Sequence, residues 1–297
     1  MKEEIKIRLL EYESKEIFGE FGIPLANYIT INSSEEIEEK TKKFSYPAII
    51  KSQIAIGSRK KAGLIKIAQN QEEAVLLCRE FFSRKVAGFV VEAIIIEELA
   101  KIDQEYYCSI ALDASGRQFY LIVSKEGGID IEEVSKERPE AIIKINFSYS
   151  IGLTENSARA AAIQLGFSGN SLQLGISIFL KLWEIAKKLE AQLVEINPLV
   201  LTPSGLIAVD GKMILDDNAA FRQPFIQNLQ ERKLSELEKL AKQDGFSFVE
   251  LTGDIGILAN GAGLTMALLD VLSELGLKPA NFLDVGGVLV RKEYIKL

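Results

Sequence analysis

Leu193-Val194-Glu195-Ile196-Asn197-Pro198-Leu199-Val200-Leu201-Thr202 and Leu206-Ile207-Ala208-Val209-Asp210-Gly211-Lys212-Met213 flank the turn Pro203-Ser204, and how these runs pair decides the reading of the chain. Both are apolar enough for strands, and the turn residues between them point to a hairpin. If Thr202 faces Gly205 across a two-residue loop, pairing continues outward with a constant index sum. Leu199 then faces Ala208, Asn197 faces Asp210, and Glu195 faces Lys212. Opposed side chains lie about 4.5–5.5 Å apart at Cβ. Glu195, Asn197 and Asp210 therefore crowd one sheet face as hard oxygen donors. Magnesium prefers such oxygens and fills its remaining positions with water and nucleotide phosphates. The same spacing also fits a solvated face with a cross-strand ion pair between Glu195 and Lys212.

Upstream, residues 11–21 read as a helix closed by Gly22, with Pro24 just behind. Short apolar strands follow at 47–53 and 64–68, joined by Ile54-Ala55-Ile56-Gly57-Ser58-Arg59-Lys60-Lys61-Ala62-Gly63. Lys51 lies near the end of the first strand, and a basic glycine-containing loop after it can close over phosphates with backbone N–H groups and positive charge. An ordinary exposed hairpin fits the same residues. A helix at 71–82 and strands at 89–96, 105–113 and 118–124 come next. Glu97 and Glu105 stand at strand ends, where carboxylates can accept from a purine amino group and a ribose hydroxyl or simply face solvent. Helices at 154–165 and 171–188 lead to the hairpin. The second is apolar around most of its circumference, which predicts deep burial. A polar helix at 227–242 then acts as a connector.

After it the pattern changes to strand, glycine turn, helix and strand: Gly256-Ile257-Leu258-Ala259-Asn260-Gly261-Ala262-Gly263, then 264–275, then 281–285. That is the start of a parallel α/β unit. The turn at Asn260 offers an anion site at a helix N-terminus. A boundary near 240 divides the chain into domains 1–240 and 241–297, the second too short for a complete doubly wound sheet.

Composition narrows the chemistry. The 297 residues carry a net charge of −7, which argues against a nucleic-acid partner. They include no histidine, so a Ser-His triad, an imidazole metal ligand and a phosphohistidine are all excluded from these residues. Chemistry must use carboxylates, amides, lysines and a metal, or borrow a nucleophile from another chain. Cys78 and Cys108 form no CxxC, which fits a reducing cytoplasm better than a disulfide or zinc framework. The opening Met1-Lys2-Glu3-Glu4-Ile5-Lys6 lacks the apolar stretch of a signal peptide, and no apolar run approaches the ~20 residues that span a bilayer. A cytoplasmic chain without a membrane partner is expected.

Taken in order, several stretches resemble the beta subunit of ADP-forming succinyl-CoA ligase. Glu11-Tyr12-Glu13-Ser14-Lys15-Glu16-Ile17-Phe18 is similar to that family's opening helix, and Gly22-Ile23-Pro24 to its exit. Ser124-Lys125-Glu126-Gly127-Gly128-Ile129-Asp130-Ile131-Glu132 is similar to its Ser-x-Glu-Gly-Gly stretch. Glu195-Ile196-Asn197-Pro198-Leu199, Asp210-Gly211-Lys212 and Phe221-Arg222-Gln223-Pro224 match in sequence and order. So do Asn260-Gly261-Ala262-Gly263-Leu264 and Asn281-Phe282-Leu283-Asp284-Val285-Gly286-Gly287.

The resemblance implies an α/β chain: an α+β ATP-grasp fold at 1–240, then an incomplete, flavodoxin-like CoA-ligase domain. It implies that Lys51 contacts nucleotide phosphates and that the backbone of Ser58, Arg59 and Lys60 forms the phosphate loop. Glu97 and Glu105 would hold purine and ribose, with Ala100 giving a backbone contact between them. Asn197 and Asp210 would bind Mg2+, Glu195 would steady the phosphoryl relay, and Asn260 would meet the substrate carboxylate or phosphate. The implied reaction is the tricarboxylic acid cycle step joining succinate and CoA at the expense of ATP, giving ADP and phosphate. The implied partner is an alpha subunit that carries CoA and the phosphorylated histidine.

The chain departs from the pattern where Ser58, Lys60 and Leu64 replace expected glycines and Val288 replaces a third glycine after Asp284-Val285. A residue there that needs positive φ would carry a steric cost. The altered loop and short second domain admit a degenerate nucleotide-binding or scaffold subunit without turnover. Since the resemblance implies that acid specificity depends partly on the rest of that domain, they also admit a ligase for another acid such as malate or citrate.

Overall fold

The structure, a computed structural model, describes residues 7–54, 63–86, 89–233 and 235–286. In chain order the elements begin with β1 (Ile7–Arg8), α1 (Glu11–Glu20), β2 (Tyr28–Ile31), α2 (Ile37–Lys42), β3 (Ala48–Gln53) and β4 (Ile65–Ala68). Next come α3 (Gln71–Ser83), β5 (Lys85–Val86), β6 (Phe89–Val90), β7 (Ala93–Glu98), β8 (Gln104–Asp113) and β9 (Gln118–Ser124). The middle holds α4 (Ile131–Glu137), β10 (Ile142–Phe147), α5 (Glu155–Gln164), α6 (Gly169–Lys188) and β11 (Ala191–Thr202). The chain closes with β12 (Gly205–Ala208), β13 (Gly211–Leu215), α7 (Pro224–Lys233), α8 (Glu236–Gln243), β14 (Ser247–Glu250), α9 (Ala262–Glu274) and β15 (Asn281–Asp284).

Two compact units divide between Ala219 and Ala220. This is earlier than the change of pattern near 240, because the polar helical stretch belongs to the C-terminal unit, where α8 packs on β14. That stretch is also two helices rather than one. Ser235 accepts from the Glu238 N–H at 3.2 Å while Glu238 accepts from the Ser235 N–H at 2.8 Å, a reciprocal cap that starts a new helix.

The first unit contains a four-stranded antiparallel sheet in the order β2-β7-β3-β4. Strand alternation gives it two unlike faces. Ile31, Ala48, Ile50, Ile94 and Ile96 turn to one side and join Ala74, Cys78 and Phe81 of α3 in an apolar core. Tyr28, Lys51, Gln53 and Glu97 hold the alternate positions. The expected strand at 89–96 is broken. β6 pairs with β5, whereas the Glu92 N–H turns to the Gln53 carbonyl at 2.8 Å and starts the β7–β3 ladder.

A second, larger sheet runs β1-β13-β11-β8-β9-β10, with β12 also on β11. α6 packs on β8, β11 and β12. Its buried residues Ile176, Phe179, Leu182, Trp183 and Ala186 recur at the spacing of one helix face. Glu184, Lys187 and Lys188 remain exposed, so burial is one-sided rather than all-round. α4 and β10 carry little sequence signal. β10 is an edge strand whose apolar residues are only half buried, and α4 has two turns with four charges in seven residues.

The hairpin register agrees with the constant index sum: Leu199 faces Ala208, Thr202 faces Gly205 and Glu195 faces Lys212. Its second strand, expected to run unbroken over 206–213, is interrupted at Val209-Asp210. There Ala208 donates its N–H to the Pro24 carbonyl at 2.8 Å, where the exit of α1 meets the hairpin. Asn197 and Asp210 thus lie at a gap in the ladder instead of within it.

In the second unit β14 and β15 pair antiparallel. Ile255 and Ala259 form isolated parallel bridges to Pro279 and Asp284, so the expected parallel arrangement exists as two bridges in place of a strand. The Asn281 side chain fills in for the ladder, accepting from the Ile257 N–H at 2.8 Å and donating to its carbonyl at 2.7 Å. Among the described residues, no helix is long and apolar enough to cross a membrane.

Candidate functional site

Lys51 is the centre of the first unit's polar sheet face. It is buried, and its Nζ lies 2.9 Å from Glu11 Oε1, 3.2 Å from Glu97 Oε2 and 2.9 Å from the Val209 carbonyl. Register explains the first half of this. Lys51 pairs with Ile95 and Glu97 with Ile49, so the two are diagonal neighbours on one face. The gap in the hairpin explains the second half, because it frees the Val209 carbonyl to accept from lysine. One ammonium therefore bridges the small sheet and the hairpin of the large one. Burial opposes its charge, but Glu11, Glu97 and Asp210 outweigh that penalty and raise the Lys51 pKa, keeping it cationic.

Glu97 is 1% exposed, which overturns its alternative reading as a surface carboxylate. Both its cationic neighbours are lysines, Lys51 and Lys15, which makes desolvation tolerable. Glu105 is on β8 opposite Val200, and its carboxylate lies against Gly128. Ala100 is in the connection between β7 and β8, partly exposed. Ser58, Arg59 and Lys60 lie outside the described residues. Leu64, one of the departures in that loop, carries no positive φ; Gly63 takes that conformation, at +67°. Leu64 is fully buried and its carbonyl accepts from the Ser52 N–H at 3.0 Å, so its side chain adds core without backbone strain.

Around the hairpin gap, the Asn197 carboxamide is fixed at both ends. Its Oδ1 accepts from the Gly128 N–H at 2.7 Å and its Nδ2 donates to the Ile129 carbonyl at 2.9 Å. An amide oxygen has two lone pairs, so one remains for a metal. Asp210 Oδ1 accepts from the Gly211 N–H at 2.7 Å. Glu195 accepts from the Tyr107 hydroxyl at 3.0 Å. Burial raises the Glu195 pKa; Lys212 and the Tyr107 hydrogen bond oppose this, while Glu132 and Asp210 add to it. The donors here are all oxygens, two of them carboxylates, and the carboxamide is oriented in advance. That set fits a hard divalent cation such as magnesium, which takes much of its shell from water and phosphate.

Asn260 is exposed, immediately before α9 in the second unit. The turn after it is tied to the Asn281–Gly286 motif, since Asp284 Oδ1 accepts from the Gly261 N–H at 2.7 Å and the Gly286 N–H at 2.9 Å. Two separate sequence motifs are thus one local structure.

Sequence reasoning missed Glu11, Lys15, Tyr107 and Gly128. A signal existed for the first two. Positions 11, 14, 15 and 18 share one helix face, and Phe18 is fully buried there, so Glu11 and Lys15 are charges on an inward face. Gly128, with φ +74°, could be recognised only by the hydrogen bond its backbone makes to Asn197.

The profile of the family described as ATP-grasp domain matches residues 8–201. The chain is 43% identical over 281 residues to the Ignicoccus hospitalis protein named succinate–CoA ligase (ADP-forming) subunit beta, covering 95% of this chain and 75% of that one. A Staphylothermus marinus protein of the same name is 41% identical over 282 residues, with 95% and 74% covered. Among solved structures, ATP citrate lyase from Methanothrix soehngenii, in complex with citrate and coenzyme A, superposes with a TM-score of 0.70 at 20% identity, over 96% of this chain and 73% of that one. The dinucleotide-forming acetyl-coenzyme A synthetase 1 of Ca. Korarchaeum cryptofilum gives 0.58 at 22% identity, over 70% and 93%. At these identities the structures share the fold.

Proposed function

Because this chain belongs to the ATP-grasp family of ADP-forming succinate–CoA ligase beta subunits, we propose that it binds MgATP between its small sheet and its hairpin and passes the γ-phosphoryl group to a histidine of an alpha subunit. The observation that carries this reading is Lys51, a buried cation joining the two sheets beside an all-oxygen donor set. Its ammonium would meet the phosphates. Glu97 and Glu105 would accept from purine and ribose, the Ser58–Lys60 backbone would close over the phosphates, and Ala100 would add a backbone contact. Asn197 and Asp210 would hold Mg2+, which supplies neutralisation of phosphate charge and fixes the in-line geometry of transfer.

Glu195, half buried and aimed by Tyr107, would steady the incoming imidazole. The 297 residues contain no histidine, so the relay needs the partner's, and the partner would also bring CoA. Succinate would then take the phosphoryl group as an acyl phosphate, whose acyl carbon the CoA thiol attacks with release of phosphate, with Asn260 in the C-terminal CoA-ligase-type unit contacting substrate carboxylate or phosphate. The reaction would serve the tricarboxylic acid cycle, and the free thiols of Cys78 and Cys108 suit a cytoplasmic setting.

Calorimetric titration of the chain with ATP tests the reading. Saturable binding that disappears when EDTA removes magnesium is expected, with GTP run alongside to define the base preference. No heat of binding up to about millimolar ATP, a range typical of enzyme substrates, would refute it.

A further inference from the structure

Glu11 and Lys15, four residues apart on α1, meet Lys51 and Glu97 in a closed ring of two cations and two anions. Lys15 Nζ is 3.1 Å from Glu11 Oε1 and also contacts Glu97 Oε2. Lys51 Nζ reaches the same two oxygens, at 2.9 and 3.2 Å. Each carboxylate therefore offers one oxygen to both lysines, and Glu97 Oε1 stays outside the ring. The ring is neutral, and its side chains are at most 5% exposed.

The two lysines differ in what they can do. Lys51 reaches beyond the ring to the Val209 carbonyl, toward Asp210. Lys15 is 0% exposed and has the Tyr28 ring 5.3 Å from its ammonium, so it is enclosed. If Lys51 leaves for an anionic ligand, Glu11 and Glu97 would be two buried carboxylates with no cation unless Lys15 stays. An uncompensated buried charge is strongly destabilising. Lys15 also shares each oxygen with Lys51, which weakens the grip of the carboxylates on the mobile lysine.

We propose that Lys15 is a positioning residue of the nucleotide site, a fixed countercharge that holds Glu11 and Glu97 in place while Lys51 moves from them to the nucleotide's phosphates. This rests on the reading of Lys51 as the phosphate lysine. It makes the role of the opening helix electrostatic as well as structural, and it sets opposite signs for two neighbouring substitutions. Lys15→Met leaves the ring one charge too negative and tightens its hold on Lys51. Glu11→Gln leaves it one charge too positive and loosens that hold. Together they restore neutrality.

The test is MgATP affinity of the full chain, with adenosine as a phosphate-free control. Lys15→Met should weaken ATP about tenfold, Glu11→Gln should tighten it about threefold, and the double variant should return to within about threefold of the parent. Adenosine affinity should change much less in each. Unchanged binding in Lys15→Met, or weakening in both single variants, overturns the proposal and leaves Lys15 as packing. If Lys15→Met does not fold, the sign for Glu11→Gln decides alone. A parent chain that binds no MgATP removes the nucleotide site and this proposal together, whereas parental binding with the wrong signs removes only the role of Lys15.

Discussion

Asp210→Ala is expected to remove magnesium-dependent ATP binding, by at least about 100-fold or ~2.7 kcal/mol, while the chain stays folded. The carboxylate lies in the gap between β12 and β13 and accepts from the neighbouring Gly211 N–H, and as a side chain it takes no part in the backbone ladder. Its loss does remove a charge that acts on two groups at once. Asp210 helps raise the pKa of Lys51 and that of Glu195, so it lies within electrostatic reach of both. Asp210→Asn keeps an oxygen donor without the charge and should fall between Ala and parent. Titration with and without magnesium, alongside a thermal melt, reads both parts. Parental affinity in the alanine variant would remove Asp210 from the metal site.

Gly127→Ala should cost about 2–4 kcal/mol of unfolding free energy in denaturant titration. A Cβ there would lie 2.5 Å from both the N and the O of Tyr106, and that backbone is fixed in β8 opposite Leu199. Nothing flexible can yield. Gly128→Ala should behave differently although it is the next residue. Its Cβ would meet the Glu105 carboxylate, the far end of a side chain that can move, and its φ of +74° costs an alanine about 1–2 kcal/mol. That substitution should spare more stability but weaken nucleotide binding about tenfold, since it disturbs Glu105 and the N–H that orients Asn197. Equal effects of the two on stability would show that the loop is a passive turn.

The hairpin is legible in the sequence because one turn fixes a whole register: Thr202 facing Gly205 dictates Glu195 facing Lys212 well beyond the turn. The gap at Val209-Asp210 has a local signal too: Pro198 stands opposite Val209 and has no N–H for its carbonyl, although the Val209 N–H still donates to the Pro198 carbonyl at 3.2 Å. Lys51 stands out as a charge within an apolar strand, yet its partners Glu11, Glu97 and Val209 come from three distant segments. Glu97 looks like a solvent-facing strand terminus for the same reason: its strand is short, and only the packing of α1 over that face shows it to be enclosed. α8 can be separated from α7 by its Ser235-x-x-Glu238 cap, a local signal outweighed by the continuous polar pattern on either side. Asn281 and Asp284 belong to a motif readable in the sequence, but their work, tying Ile257 and Gly261 to β15, is a tertiary fact.

The central claim is that these residues prepare a phosphoryl group for a histidine they do not contain. The direct measurement is succinyl-CoA formation from ATP, succinate and CoA, by the purified chain alone and after mixing with a histidine-bearing alpha subunit, with malate and citrate as alternative acids. The account predicts no product from the chain alone, and ADP and succinyl-CoA in equal amounts once the partner is present. Sustained succinyl-CoA synthesis by the chain alone would contradict it.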